Sequence, residues 1–164
     1  MTLQPQMVAP AEFRSLMSQF PTGVTIVTTT NERRQPRGMT CSSLCSLTLQ
    51  PPTLLVCLRS QSPTLETLLA RGSFAVNFLH SEARAAAELF GSGAPDRFDQ
   101  VPWVPGPAGP HLTEHSHAVA DCQVSDTAEG GSHTVVFGRI SAISQRAGLT
   151  PLLYGRRTFL PWPQ

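Results

Sequence analysis

Apolar residues recur along this chain with two different spacings, and the first is helical. It involves four residues at positions i, i+3, i+4 and i+7: Phe13, Leu16, Met17 and Phe20. This spacing places all four side chains on one face of a helix. Pro10 suits the beginning of that helix and Pro21 ends it. We therefore predict a first helix between the two prolines, with its apolar face turned into the core.

The second spacing predicts β-strands. Segments that are rich in β-branched residues, or that alternate apolar with polar residues, are expected to be strands. Six segments fit this description: residues 22–30, 38–49, 53–59, 74–79, 118–124 and 133–143. The Gly130-Gly131 pair separates the last two, so we expect them to form a hairpin.

Two further helices are predicted between these strands. Ser62 is a good N-cap, Pro63 suits the first helical turn, and Gly72 supplies the stop. Ser81 caps the other helix, which runs to Phe90. Three short helices that interrupt about six strands irregularly favour a small, mainly β barrel over a doubly wound sheet.

The length of 164 residues predicts one domain. Residues 1–9 show no period, and we expect a flexible arm there, followed by a single domain over residues 10–164. Residues 91–111 are rich in glycine and proline, and we expect an irregular loop within that domain.

Charge and composition exclude several classes of function. Hydrophobic residues make up 40% of the chain and charged residues 14%, with a net charge of +1, which argues against disorder and against a nucleic-acid partner. Every positive residue is an arginine, and only Arg33, Arg34 and Arg37 cluster, in what we interpret as a solvated hairpin loop. No signal segment or long apolar run is visible, so we expect a cytoplasmic protein with no membrane partner.

Familiar catalytic motifs do not match this sequence. The four cysteines lack Cys-x-x-Cys spacing, and the Gly91-Ser92-Gly93 segment follows a helix rather than a strand. One metal-like group is present, for which a polar turn is the favoured interpretation: His111, Glu114, His115 and His117. We expect no metal site, and if the chain is an enzyme, we expect a cofactor to carry the chemistry.

Three stretches are unusual for packing alone. Residues 38–43 combine small and hydroxyl side chains, which would let a flat ligand approach the backbone, although an edge strand facing water explains them equally well. Residues 59–64 join a strand to a helix, where a phosphate could bind, although simple capping by Ser62 is the alternative. Asn77, inside an apolar strand, would bond either neighbouring backbone or a ligand. His133 begins the last long strand, where it is either a site residue or merely exposed.

These stretches, in this order, resemble the flavin reductase family. The resemblance runs from about Phe13 to Phe159 and rests on several segments together: FRSLMSQFPTGVTIVTT, GMTCSSLCSLTLQPPTLLVCL, SPTLETL, FAVNFL, DRF, HTVVFGRI and PLLYGRRTF. It implies a six-stranded split β-barrel that forms a homodimer, with flavin near the subunit interface. It also implies the small reductase component of a two-component monooxygenase, which reduces FAD or FMN with NADH or NADPH for a partner oxygenase.

The resemblance also assigns residues to the site. Flavin-contacting positions of the family fall on Met39, Thr40, Cys41, Ser42, Ser43, Ser60, Ser62, Thr64 and Asn77. The family's histidine near the nicotinamide corresponds to His133, and residues that approach the flavin or nucleotide correspond to Tyr154 and Arg157. Two positions depart from the pattern, since Ser132 stands where an aspartate is common and Leu44 where a phenylalanine is common. FAD and NADH are favoured only because they are common in the family.

The expected reaction is hydride transfer from the nicotinamide to the flavin. It needs no protein nucleophile, which agrees with the motifs that the sequence lacks. A redox role for Cys41 is the less favoured interpretation, because nothing nearby in sequence would lower its pKa. Two alternatives stay open: a flavin-binding protein without catalysis, and a split-barrel flavoenzyme that acts directly on an organic substrate.

Overall fold

Strands dominate the fold, as the sequence predicts. The computed structural model describes residues 7–163 and contains ten strands and four helices. The helices are α1 (Pro10–Ser18), α2 (Pro63–Arg71), α3 (Arg84–Ser92) and α4 (Arg97–Gln100). The strands are β1 (Thr22–Gly23), β2 (Thr25–Thr30), β3 (Pro36–Cys41), β4 (Leu44–Leu49), β5 (Pro52–Arg59), β6 (Ser73–Leu79), β7 (Ser116–Gly130), β8 (His133–Gln145), β9 (Leu152–Gly155) and β10 (Thr158–Pro161).

Seven of these strands form one antiparallel sheet, in the order β3-β2-β6-β7-β8-β5-β4. Its two edge strands, β3 and β4, are separated by only Ser42 and Ser43 along the chain. Two residues cannot span the width of a flat seven-stranded sheet. The sheet must therefore curl until its edges approach each other, and Ser42 and Ser43 lie in the seam between them.

The expected count of six strands is not confirmed. The predicted strand over residues 22–30 is divided at Val24, whose N–H donates to the carbonyl of Leu152 instead of continuing one ladder. The predicted strand over residues 38–49 is divided at the seam. The segment after residue 150, for which no strand was predicted, forms β9 and β10, which join β1 in a separate three-stranded sheet.

Strands β2 and β6 are covered on both faces. Val27 and Val76 point into a core inside the curled sheet, which Leu68 of α2 closes at one end. Ile26 and Leu79 point the other way, into a second core beneath α3. This double coverage explains why both segments are apolar almost without interruption.

The three predicted helices are confirmed, with one correction. Helix α2 has Ser62 as its N-cap and ends at Gly72, which adopts a left-handed φ of 74°. Helix α3, however, begins at Arg84 and not at Ser81, whose hydroxyl instead accepts a hydrogen bond from Thr150. The short helix α4 lies inside the segment that was expected to be an irregular loop.

The predicted burial of α1 is wrong for the single chain. None of its residues is buried, and Phe13 and Leu16 are 58% and 67% exposed. Met17 and Phe20 are exposed as well. The predicted N-terminal arm lies mostly outside the described residues, apart from residues 7–9, which are exposed and irregular. No helix among residues 7–163 has the length and apolar character needed to cross a membrane.

Candidate functional site

The seam between β3 and β4 provides the first wall of a cleft. The ladder of β3 with β2 ends at Cys41, and the ladder of β4 with β5 begins at Leu44. Ser42 and Ser43 therefore lie outside both ladders, and both are exposed. The carbonyl of Ser43 accepts a hydrogen bond from the N–H of Cys57 at 3.0 Å. The neighbouring backbone and hydroxyl groups of the two serines face the cleft, where a ligand could bond them.

The connection from β5 to α2 forms the second wall. The Ser62 hydroxyl accepts a hydrogen bond from the Thr64 N–H at 3.2 Å and donates one to the sulfur of Met39 at 3.4 Å. The N-cap of α2 is thereby tied to β3. The first turn of a helix carries N–H groups with no partner within the helix, so this wall can bind an anion.

His133 joins the cleft from β8. It pairs in register with Arg59, and the carbonyl of Ser132 accepts a hydrogen bond from the N–H of Ser60 at 3.0 Å. The Nδ1 atom of His133 lies 3.0 Å from the Ser132 hydroxyl. Ser132, which replaces the family's common acid, thus contacts the imidazole. His133 lines the same cleft as residues 39–43.

A third wall comes from the end of α3 and the residues that follow it. Phe90, Pro95 and Phe98 line the cleft there. The Arg97 guanidinium donates to the carbonyl of Gly38 at 2.9 Å, which fixes this segment to β3. Sequence reasoning gave Arg97 no role, although it lies in the DRF segment that contributed to the family resemblance. That segment was the available signal.

The electrostatics of the cleft favour a negatively charged ligand. Its volume is about 900 Å³, which is in the range of cofactor sites. Arg37, Arg59 and Arg97 line it, and no aspartate or glutamate does so among the described residues. Burial, and secondarily the charge of Arg37, lower the pKa of Arg97 from its ordinary value. The balanced net charge of the whole chain conceals this local excess of positive charge.

Cys41 contributes a neutral thiol to the floor of the cleft. It is buried, and this burial raises its pKa to about 11. The thiol therefore stays protonated at neutral pH, where a thiolate would be needed for redox or nucleophilic chemistry. This agrees with the low expectation for a redox cysteine.

Asn77 lies outside the cleft. Its side chain is fully buried, and its amide nitrogen donates to the carbonyl of Ile26 and the hydroxyl of Thr28 at 3.1 and 3.0 Å. Its amide oxygen accepts the N–H of Leu112 at 2.7 Å. Protein groups thus occupy its hydrogen-bonding capacity, as in the backbone-bonding alternative. Asn77 anchors the loop before β7 instead of facing a ligand.

Three other expected site residues do not line the cleft. Ser60 lies beside it, where its hydroxyl is 3.1 Å from that of Thr134. Tyr154 lies on β9 and packs against Phe159, with ring centroids 4.9 Å apart. Arg157 lies in the turn between β9 and β10, with a φ of 61°. Eight of the twelve expected residues do line the cleft: Met39, Thr40, Cys41, Ser42, Ser43, Ser62, Thr64 and His133.

The histidine-rich segment does not come together as a metal site. His111 turns inward, with its Nε2 atom 3.0 Å from a carboxylate oxygen of Asp121. His115 instead stacks near His80 with ring centroids 6.5 Å apart, and burial lowers its pKa. Within residues 7–163, no three His, Cys, Asp or Glu side chains are grouped so that they could hold a metal ion.

Comparison with known proteins identifies relatives along most of the chain. A family model described as the flavin reductase like domain matches residues 17–163. A flavin reductase (NADPH) of Lentzea aerocolonigenes is 45% identical over 157 residues, which cover 94% of this chain and 91% of the relative. A flavin reductase (NADH) of Kitasatospora aureofaciens is 41% identical over 164 residues, covering 98% and 86%.

Two further relatives bear on partners and ligands. The reductase subunit HsaB of a flavin-dependent monooxygenase from Mycobacterium tuberculosis is 36% identical and covers 88% of this chain and 76% of its own. The solved structure of the NADH:FAD oxidoreductase SgcE6 of Streptomyces globisporus C-1027, in complex with NAD and FAD fragments, has a TM-score of 0.88 at 31% identity. The match covers 96% of this chain and 97% of that one.

Proposed function

Since this chain belongs to the flavin reductase family, we propose that it reduces FAD or FMN with NADH or NADPH in the cleft beside the seam. Its relatives include reductases named for each nicotinamide nucleotide and the reductase subunit of a monooxygenase. We further propose that the reduced flavin passes to a partner monooxygenase. FAD and NADH remain the preferred pair on family grounds.

One observation carries this proposal: eight of the twelve expected site residues, from three separate segments, line one cleft. The cleft fits a flavin in three respects. The backbone of Ser42 and Ser43, which lies outside both strand ladders, can hydrogen-bond the edge of the flavin ring. The first turn of α2 and Arg59 can hold a phosphate, and Phe90 with Phe98 supplies an apolar wall. A bound flavin supplies the hydride-accepting ring.

The residues of this chain would then act by position. Ser42 and Ser43 orient the ring edge through hydrogen bonds, and Ser62 with Thr64 fixes the phosphate end. The Ser132 hydroxyl lies at Nδ1 of His133, which leaves Nε2 to bond the nicotinamide carboxamide. These contacts set the distance and orientation between the two rings, which is the main contribution required of the protein.

We also propose a homodimer. The apolar face of α1 is exposed in the single chain, and contact between this face and water is unfavourable in free energy. Strands β9 and β10 lie next to it, since Arg156 bonds the carbonyl of Ser18. Tyr154 and Arg157 are not among the residues that line the cleft of their own chain, and we propose that they approach the flavin or nucleotide of the second subunit.

An anaerobic reduction assay tests this function. Purified protein is mixed with excess FAD or FMN and with NADH or NADPH, and the absorbance of oxidised flavin is followed. Catalytic bleaching is expected, and the four combinations give both preferences. Flavin binding without bleaching in any combination would refute the reductase and favour the non-catalytic alternative. Bleaching only after an organic substrate is added would favour a flavoenzyme that acts on that substrate directly.

The role of His133 has its own test. His133→Ala should lower the rate of flavin reduction more than it weakens flavin binding, because the imidazole is proposed to contact the nicotinamide. Single-turnover reduction separates the rate from the binding constant. Equal reduction rates in the variant and the parent would remove His133 from the mechanism.

A further inference from the structure

A second cavity adjoins the cleft. Its volume is about 940 Å³, and Arg37 and Pro63 line both spaces. Its walls are the β2–β3 loop, the outer face of α2 and the loop over residues 103–110. Pro63 is the first residue of α2. A phosphate at the α2 N-terminus would therefore lie at the junction of the two spaces.

The charges of this second cavity suit a diphosphate. Four arginines line it against two glutamates: Arg33, Arg34, Arg37 and Arg71, with Glu32 and Glu66. The ion pairs found among residues 7–163 involve none of these arginines. Sequence reasoning treated the β2–β3 loop as a solvated turn, and it did not foresee that Arg71 of α2 faces the same space.

Arg71 is held in place by the fold. Its guanidinium donates to the Ser73 hydroxyl at 3.0 Å and to the carbonyl of Pro107 at 2.9 Å. Both partners are neutral, so the positive charge has no compensating carboxylate at these contacts. A fixed, uncompensated arginine beside a cavity is an effective binding group for phosphate oxygens.

Trp103 gives the cavity an aromatic wall. The indole is half-buried, and Phe98 packs edge-on against it with ring centroids 6.1 Å apart. Phe98 lines the first cleft and Trp103 lines the second cavity, so this pair lies between the two spaces. A flat indole held beside arginines can stack on a purine base.

We propose that this second cavity binds the adenosine diphosphate group of a dinucleotide whose reactive ring lies in the cleft. The proposal rests on the proposed function for the position of that ring. FAD and the nicotinamide nucleotides share this group, whereas FMN lacks it. In either dinucleotide the diphosphate would pass from the cleft into the second cavity beside Arg37 and Pro63, and the adenine would stack on Trp103.

ADP itself is the probe, and binding is measured without catalysis. The chain has two tryptophans, so a Trp162→Phe background leaves Trp103 as the only source of indole fluorescence. ADP should quench it, and Arg33→Glu should weaken ADP binding about tenfold, which is typical of one lost charge-assisted contact. Arg139→Glu makes the same charge change at an exposed position on β8, outside both spaces, and should leave ADP binding unchanged.

Inhibition patterns then identify the source of the group. AMP is used for this step, because it lacks the phosphate that ADP would place at the α2 N-terminus, where FMN would place its own. If the group comes from FAD, AMP competes with FAD but not with FMN. If it comes from the nicotinamide nucleotide, AMP competes with that nucleotide and with neither flavin. Absence of quenching by ADP, or equal weakening by Arg33→Glu and Arg139→Glu, would overturn the proposal. A failure of the proposed function would instead appear as no reduction of FAD or FMN by either nicotinamide nucleotide in a protein that still binds ADP.

Discussion

Helices α1 and α2 are alike in sequence and opposite in environment. Each has nine residues, begins with a proline and presents an apolar stripe. Leu65 and Leu68 of α2 are buried against the curled sheet, whereas no residue of α1 is buried. The same periodicity therefore marks a face that this chain covers in one case and leaves uncovered in the other. Periodicity predicts which face is apolar, but it does not predict whether this chain buries that face.

The difference extends to the helix starts. In α2 the Ser62 hydroxyl caps the Thr64 N–H. In α1 the N-cap is Ala9, which has no capping side chain, and only Glu12 reaches back to the Ala9 N–H at 3.1 Å. Helix α2 is thus stabilised by the cap and by the core together. Helix α1 has neither of these contributions from the described residues of this chain.

The largest expected effect comes from α1. Phe13→Ser combined with Leu16→Ser should weaken dimerisation about a hundredfold or more, since each buried apolar side chain contributes about 1.5–3 kcal/mol. Sedimentation equilibrium measures the change, with Arg14→Ser on the same helix as the control. A dimer of unchanged affinity, or a parent protein that is already monomeric, would refute α1 as the interface.

Substitutions on the apolar face of helix α2 should instead lower the stability of the folded chain. Leu68→Ala removes a fully buried side chain and should cost about 2–5 kcal/mol in the free energy of unfolding. The neighbouring Leu69 is 41% exposed, and Leu69→Ala should cost about 0.5 kcal/mol or less. Urea denaturation compares the two. Equal costs would contradict the burial of this face.

The cap of α2 offers a smaller effect that separates stability from binding. Ser62→Ala should lower the free energy of unfolding by about 1 kcal/mol. Ser62→Asp should restore stability, because aspartate caps as well as serine, yet its charge should raise the KM for FMN. Thermal unfolding and steady-state kinetics measure the two effects. If Ser62→Asp leaves that KM unchanged, no phosphate binds at this helix start.

The contrast between buried and exposed positions also applies to two cysteines, where the smallest effect is expected, a difference in reactivity towards an alkylating reagent. Burial raises the pKa of Cys41 to about 11, so almost all of its thiol is protonated at about pH 8. Cys45, on the exposed strand β4, should be alkylated by iodoacetamide at about pH 8, while Cys41 is not. Mass spectrometry of the peptides reports both sites. Equal alkylation at that pH would show that the floor of the cleft is open to water.

Local signals were sufficient for much of the fold. The Ser62 cap and the Gly72 stop each depend on a few neighbouring residues, and the structure agrees with both. The predicted hairpin is also present, but its turn falls on Gly131 and Ser132, because Gly130 pairs with His133 as the last residue of β7. The seam is different. The pattern of residues 38–49 predicts one strand because nothing local at Ser42 requires a break, whereas closure of the sheet requires one.

The site shows the same division between local and distant causes. Residues 40–43 could be predicted as site residues locally, because a run of small and hydroxyl side chains is visible in the sequence itself. The hydrogen bond of the Asn77 amide oxygen is made with the N–H of Leu112, and the second cavity forms only where the loop that carries Arg33 lies beside the helix that carries Arg71. Both of these depend on contacts between distant segments. A single sequence carries no direct record of such contacts.

The loop before β7 has an irregular path but fixed attachments. Asn77 accepts the Leu112 N–H, and the buried carboxylate of Asp121 accepts the Ala108 N–H at 3.0 Å and contacts His111. The conformational entropy of this loop is therefore lost when the chain folds and not when a ligand arrives. A dinucleotide that binds beside it would retain more of its contact energy as affinity, and its association would not wait for a loop to close.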